Sequence, residues 1–398
     1  MDTFVSVEHA RRTVLASARP LPAEPVPLAE AVGRTLAARV VSDGPLPPFD
    51  TSAMDGYAVR RADLAGETAL PLAGTVHAGD AGRDLAPGTC LGVMTGAPLP
   101  SGADAVAPVE WTSRADGRVH FDRQPEAGQS IRRVGSALAG GVEVLGAGRV
   151  VSARAVGLLA AVGAATVSVR RRPVVAVVTT GDELVPADAT PGPGQIRDAN
   201  GPALAAQVVA AGGVPLALHA RDDRPSLATA LDQAQDADVV VFAGGVSMGE
   251  RDLVRPELER RGVEWAFWKV RQRPGKPLAF GTLDGRPVIG LPGNPVSAAV
   301  GFEVYVRPLL AACLGRAAAG EPEAGRLAEA VGKADGLTTF LRVTATRSAS
   351  GALALSAAGA QDSHVARSLL VSDGLAWLPA AGAEVPAGTP VPFVPWGG

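Results

Sequence analysis

Cysteine is scarce in this chain of 398 residues. There are two, Cys90 and Cys313, and no CxxC pair. This excludes a disulfide framework and a thiolate zinc site. Lysine is almost as rare: Lys269, Lys276 and Lys333 are the only three, although Lys and Arg together number 37. Long apolar runs are missing too. The most apolar window, 155–169, is broken by Gly157 and Gly163 and is too short to span a bilayer. Asp2, Glu8, Arg11 and Arg12 stand where a secretory leader needs an apolar stretch. The formal net charge of -3 excludes a nucleic-acid binder by global charge, so any anion site has to be local. These absences predict a soluble cytoplasmic protein that binds neither nucleic acid nor membrane.

Hydrophobic residues make up 47% and charged residues 19%, enough apolar material for a large core. The length suggests about two to four domains. Residues 5–18 show helical spacing, and a second short helix is predicted over 28–38. From 51 to about 140, short apolar runs between Gly, Pro and Asp indicate a mostly β domain. Residues 141–170 read as strand, helix and strand that pack back on the N-terminal segment. From 173 to 312, "PVVAVVTTG", "VPLALHA" and "DVVVFAGG" alternate with helical segments. A continuous β-branched run marks a strand buried on both faces. The alternation predicts a doubly wound α/β sheet. Residues 326–398 return to short strands, a small β-barrel or sandwich.

In an open α/β sheet, ligands bind beyond the carboxyl ends of the strands. Those ends here carry "TTGDEL", "ARDDRP", "AGGVSMGERD" and "LPGNPVS". Gly244 and Gly245 open backbone amides to a phosphate, and Ser247 can donate to an anion. Glu183, Asp222 and Asp252 converge on one edge and supply the oxygen ligands that Mg²⁺ prefers. Asp223 reads as a helix cap. "WKVRQRPGKP" adds Lys269, Arg271, Arg273 and Lys276 beside that edge. A chain that nearly always uses arginine keeps lysine twice here, which points to compact, hydrated charges facing an oxyanion. "PFDTSAMDGYAVR" carries Asp50 and Asp55, and by itself it is an ordinary hairpin with two solvated acids.

Taken together, "FDTSAMDGYAVR", "MTGAPLPSGADAV", "IRRVG", "VVTTGDEL", "GGVSMGERD", "KVRQRPGKP", "LPGNPVSA" and "QDSHVARSLLVSDGL" span nearly the whole chain. In this order they resemble the molybdopterin molybdenumtransferase family, which includes the E domain of gephyrin. The resemblance implies a multidomain α/β plus β fold. Residues 1–46 with 141–170 would form a discontinuous N-terminal domain and 47–140 a β-rich domain. Residues 171–316 would form a molybdopterin-binding α/β domain and 317–398 a C-terminal β domain. It also implies insertion of molybdate into adenylylated molybdopterin with release of AMP, assisted by Mg²⁺. The enzyme would be a homodimer whose active site is shared between subunits.

Residue by residue, the resemblance assigns catalytic roles to Asp55, Thr95, Glu183 and Asp252, and metal binding to Glu183, Asp222 and Asp252. It assigns substrate contacts to Asp222, Gly244, Gly245, Ser247, Lys269, Arg273, Lys276, Pro292 and Pro295. Arg342 and Ser363 resemble residues that seat molybdate. Three positions depart from the family pattern. Ser136-Ala137 replaces an acidic Glu-Asp pair, Arg273 replaces a lysine, and Asp362 replaces a glycine before Ser-His. The missing acid admits an alternative: a catalytically altered paralogue acting as a molybdopterin-binding or scaffold protein.

Overall fold

The computed structural model describes residues 1–245, 253–316, 322–349 and 351–397. Its centre is a seven-stranded sheet. The strand order is Asp2–Val5, Glu264–Val270, Ala279–Leu283, Arg286–Leu291, Val239–Ala243, Val174–Thr180 and Val214–Ala220. Val174–Thr180 pairs in parallel with the Val214 and Val239 strands, and Val239–Ala243 pairs in parallel with Arg286–Leu291. Within this sheet only Ala279–Leu283 runs against its neighbours. It reaches Arg286 through a two-residue turn at Asp284 and Gly285 with φ of +51° and +75°, as a type I′ hairpin requires. Helices Val7–Ala16, Asn200–Ala210 and the Pro295–Cys313 stretch cover one face, while Arg224–Gln233 and Val254–Arg260 cover the other. Both faces of the central strands Val174–Thr180 and Val239–Ala243 are therefore dry, as their apolar runs predicted. Pro295–Cys313 is long and apolar enough to cross a membrane, but 78% of it is buried inside the protein, the condition of a core helix.

One expectation is met in part and another is corrected. The helix expected over 5–18 is present as Val7–Ala16, capped by Ser6 accepting the His9 N–H, and Asp2–Val5 before it is an edge strand pairing in parallel with Phe267–Val270. Val7, Ala10 and Val14 then enter the α/β core. The predicted helix over 28–38 shrinks to a single 3₁₀ turn, Leu28–Glu30. Gly33 turns the chain at φ +78°, and Thr35 and Leu36 bridge to Val150 and Val169. Leu28, Ala31 and Leu36 are buried with Val151, Leu159 and Val169, so segments 23–41 and 143–170 share one core.

The β-rich unit is a six-stranded sheet ordered Ala105–Pro108, Gly56–Val59, Cys90–Val93, Ala69–Val76, Arg118–Phe121 and Thr112–Ala115. At the C-terminus, Thr338–Arg347, Leu353–Ala357, Glu323–Leu327, Pro390–Pro395 and Gly374–Leu378 close into a barrel. A short strand from the α/β unit, Gln272–Arg273, pairs in parallel with Thr338–Thr339 and joins the two units.

Candidate functional site

At the carboxyl ends of the central strands lies a cleft of about 680 Å³. Val174–Thr180 and Val239–Ala243 are each followed by glycine, and the turn after Ala243 has left-handed φ at Gly244, +95°, and Gly245, +61°. A Cβ on Gly245 would stand 2.3 Å from Val254 Cγ2 and 2.7 Å from Thr180 Oγ1, so the turn excludes every other residue. Thr180 Oγ1 is buried at the cleft wall and has no partner among the described residues. Asn200 closes the rim by donating from Nδ2 to the Gly293 carbonyl at 2.7 Å. Asp198, absent from the sequence-based candidates, also lines the cleft. It accepts the Thr179 hydroxyl at 2.8 Å and the Gly201 N–H at 2.9 Å. Its signal was the acid of "IRDAN" one turn before a helix.

Glu183 and Asp222 line this cleft and also share an adjoining opening of about 790 Å³. Glu183 folds its carboxylate over Gly181, where a Cβ would lie 2.4 Å from Oε2. The two loops interlock through paired acids. Asp182 N–H donates to Asp222 Oδ2 at 3.4 Å, and Asp222 N–H donates to Asp182 Oδ1 at 3.3 Å. Asp223 is the expected cap and accepts the Ser226 N–H at 2.8 Å. No group of three or more His, Cys, Asp or Glu side chains that could hold a metal occurs among the described residues. Asp252 and Ser247 lie outside the described residues. Glu183 and Asp222 both offer carboxylate oxygens to this cleft, which suits an ion bound through one or two carboxylates and substrate phosphates.

Arg273, Lys276 and Ser363 line a second cavity of about 320 Å³, which shares Pro277, Pro292, Asn294 and His364 with the main cleft. Pro295, at the first turn of its helix, lines the main cleft with Pro292. The barrel closes this side: Asn294 donates to Ser363 Oγ at 2.9 Å, and Val296 N–H donates to the Ser363 carbonyl at 3.3 Å. Lys276 Nζ sits 4.6 Å from the Phe4 ring centroid. Lys269 has a left-handed φ of +69° and lines none of these cavities. Arg342, 0% exposed, borders a third cavity of about 400 Å³ that shares Arg273, Pro274 and Gln361 with the second. Its guanidinium donates to the carbonyls of Ala360 and Asp362, while Nε is unpartnered among the described residues. Burial pulls the Arg342 pKa down, and the charge of Asp362 opposes that shift.

Asp55 and Thr95 lie in the β-rich unit and line none of these cavities within the single chain. The Thr95 N–H and hydroxyl both donate to Asp55 Oδ1, at 2.7 and 2.9 Å, and hold its pKa below the ordinary carboxylate value. Asp50 is spent on structure. It accepts the Val134 N–H at 2.8 Å and the Arg133 guanidinium at 2.6 Å, which lowers its pKa in turn. Ser136 and Ala137 are exposed on the same unit.

Comparison with known families decides the assignment. The chain matches the MoeA N-terminal region (domain I and II) over residues 5–163, a probable molybdopterin binding domain over 176–312, and the MoeA C-terminal region (domain IV) over 324–396. It is 38% identical over 400 residues to molybdopterin molybdenumtransferase 2 of Mycobacterium tuberculosis, covering 96% of this chain and 98% of that one.

The chain belongs to the molybdopterin molybdenumtransferase family.

The molybdopterin molybdenumtransferase of Haemophilus influenzae is 35% identical, with 99% of each chain covered. Among solved structures, the molybdopterin biosynthesis MoeA protein of Pyrococcus horikoshii superposes with a TM-score of 0.83 at 32% identity, covering 98% of both chains. Within this family the glycine turn and acid pair lie in the segment matched to the molybdopterin binding domain, and Ser363 and Arg342 lie in the segment matched to domain IV.

Proposed function

We propose that the chain is a transferase of molybdenum cofactor biosynthesis that inserts molybdate into adenylylated molybdopterin and releases AMP. The observation that carries this reading is the meeting of two chemistries in adjoining cavities that share Pro277, Pro292, Asn294 and His364. The glycine turn at 244–245 and the Glu183–Asp222 pair stand at one end, and Arg273, Lys276 and Ser363 stand at the other. Backbone amides at the glycine turn can receive the phosphates of the adenylylated pterin. Glu183 and Asp222 would hold Mg²⁺, which neutralises phosphate charge when bound. Arg273, Lys276, Ser363 and the buried Arg342 suit a second oxyanion, molybdate.

Asp55 and Thr95 do not line this cleft in the single chain. They fit the reading when a second copy supplies them, so the active enzyme is a homodimer with shared sites, working in the cytoplasm. Incubation of the purified protein with adenylylated molybdopterin, Mg²⁺ and molybdate tests the reading directly. AMP release stimulated by molybdate is expected, and its absence sinks the transferase assignment.

A further inference from the structure

The loop that presents Arg273 and Lys276 is short, exposed at both cations, and built over a buried amide. Gln272 is 0% exposed, and its Nε2 donates to the carbonyls of Pro274 at 3.2 Å and Gly275 at 3.1 Å. Both of those oxygens only accept, so the NH₂ end of the amide has to face the loop. The other end, Oε1, accepts the phenol of Tyr305, itself 1% exposed. Tyr305 comes from the π-helical turn Phe302–Val306 inside the core helix. Such turns are uncommon and frequently accompany functional sites. Gly275 completes the arrangement: its φ is +87°, and a Cβ there would stand 2.9 Å from Gln272 Nε2.

The same residue also ties the loop to the barrel. Gln272 pairs with Thr338 and Arg273 with Thr339, and the Thr338 N–H donates to the Arg271 carbonyl at 3.0 Å. Arg273 thereby borders both the cavity with Ser363 and the cavity with Arg342.

We propose that Gln272 is a positioning residue for oxyanion capture. Its amide, oriented by the Tyr305 hydroxyl, fixes the carbonyls of Pro274 and Gly275 and so sets the separation of Arg273 from Lys276. The inference rests on the reading of this loop as the molybdate end of the cleft. Gln272 touches no substrate. It acts by freezing the backbone between two cations, so that their geometry is set before the oxyanion arrives.

Steady-state AMP release, with the KM for molybdate and for adenylylated molybdopterin measured separately, is the test. Gln272→Met keeps the length of the side chain and removes all three of its amide hydrogen bonds. It should raise the molybdate KM about tenfold, equivalent to ~1.4 kcal/mol, and leave the pterin KM within about twofold. Tyr305→Phe keeps the ring and frees the amide, and should raise the molybdate KM in the same direction. The Gln272→Met, Tyr305→Phe double variant should match Gln272→Met alone, because the phenol acts only through the amide. A purely structural role predicts additive losses of stability and no split between the two KM values.

Lys276→Ala separates the two levels of the argument. If Lys276→Ala raises the molybdate KM while folded Gln272→Met leaves it unchanged, the positioning role is overturned and the cationic loop stands. If Lys276→Ala also leaves it unchanged, the loop does not take the oxyanion, and both ideas fall together. Should Gln272→Met not fold, Tyr305→Phe decides, and an unchanged molybdate KM in that variant overturns the inference.

Discussion

Thr95 gives both of its hydrogen bonds to one oxygen of Asp55, the backbone N–H at 2.7 Å and the hydroxyl at 2.9 Å to Oδ1. The described residues make no bond to Oδ2. One oxygen is anchored and the other is presented, the arrangement expected of a carboxylate that works on something outside its own domain. The paired donors favour the ionised form and place the Asp55 pKa below the ordinary 3.8.

The Asp55 carboxyl should therefore titrate below pH 3.8 in carbon-detected NMR, and Thr95→Val should move it back toward that value while retaining the backbone bond. Asp55→Asn should lower turnover by at least about 100-fold, the scale on which positioned acid and base groups contribute. Because Asp55 is exposed, the variant should melt with the parent. A fully active Asp55→Asn enzyme disproves the role.

Asp50, five residues earlier, should behave in the opposite way. It joins Thr51–Ser52 to the 131–134 segment through Arg133 and Val134, so Asp50→Ala should cost about 1 kcal/mol of stability. Its folded pKa is depressed, so the stabilisation is present above the unfolded value near 3.8 and disappears as pH falls through the folded value. Thermal melts of parent and variant should differ at pH 7 and converge as pH falls below 3.8 through the depressed folded value. A gap that stays constant with pH contradicts the ion pair as its source.

How much of this was legible in the sequence differs from element to element. The strand Val174–Thr180 announced itself because both of its faces are dry, which leaves an uninterrupted β-branched run. Asp2–Val5 did not, because a four-residue edge strand borrows its order from Phe267–Val270, far along the chain. The false helix over 28–38 came from apolar residues at helical spacing whose burial is satisfied by bridges to Val150 and Val169 instead. At the site, Lys276 stood out by its rarity. Gln272, between Arg271 and Arg273, gave no signal, since nothing local reveals that a side chain is buried against a tyrosine on a distant helix. Within their hairpin Asp50 and Asp55 read alike; the family resemblance singled out Asp55, and their partners, Val134 and Thr95, show how differently the two are held.

Ala137 tests the departure from the family pattern. It is exposed on the β-rich unit, with its N–H bonded to the Leu46 carbonyl at 2.9 Å, so a larger side chain meets no packing obstacle. Ala137→Asp should fold normally and raise the rate of AMP release severalfold. An unchanged rate makes an acid at this position dispensable in this protein.

Gly245 leaves no such freedom. Gly245→Ala would place its Cβ 2.3 Å from Val254 Cγ2 at a φ of +61°. The strain should cost about 1–3 kcal/mol and tilt the turn that faces the phosphates. The pterin KM should rise while the molybdate KM stays near the parent value, the mirror image of the Gln272→Met pattern. A rise in the molybdate KM alone would place the two substrates the wrong way round in the cleft.

Arg342 carries the last prediction, a conflict between stability and function. The side chain is fully buried, its Nε has no partner among the described residues, and its remaining bonds run to carbonyls at 3.2 and 3.4 Å. Burial lowers its pKa, so at every pH where the guanidinium is charged in both states this group favours the unfolded chain. Asp362 is the nearby charge that offsets part of the penalty. Arg342→Met removes the buried charge and keeps an unbranched apolar stem, and should stabilise the protein by ~1 kcal/mol. It should also abolish the response to molybdate, because the charge that destabilises the barrel is the one the oxyanion neutralises. Added molybdate should accordingly raise the melting temperature of the parent and not that of Arg342→Met. A variant that is less stable and still responds to molybdate places the charge outside the oxyanion site.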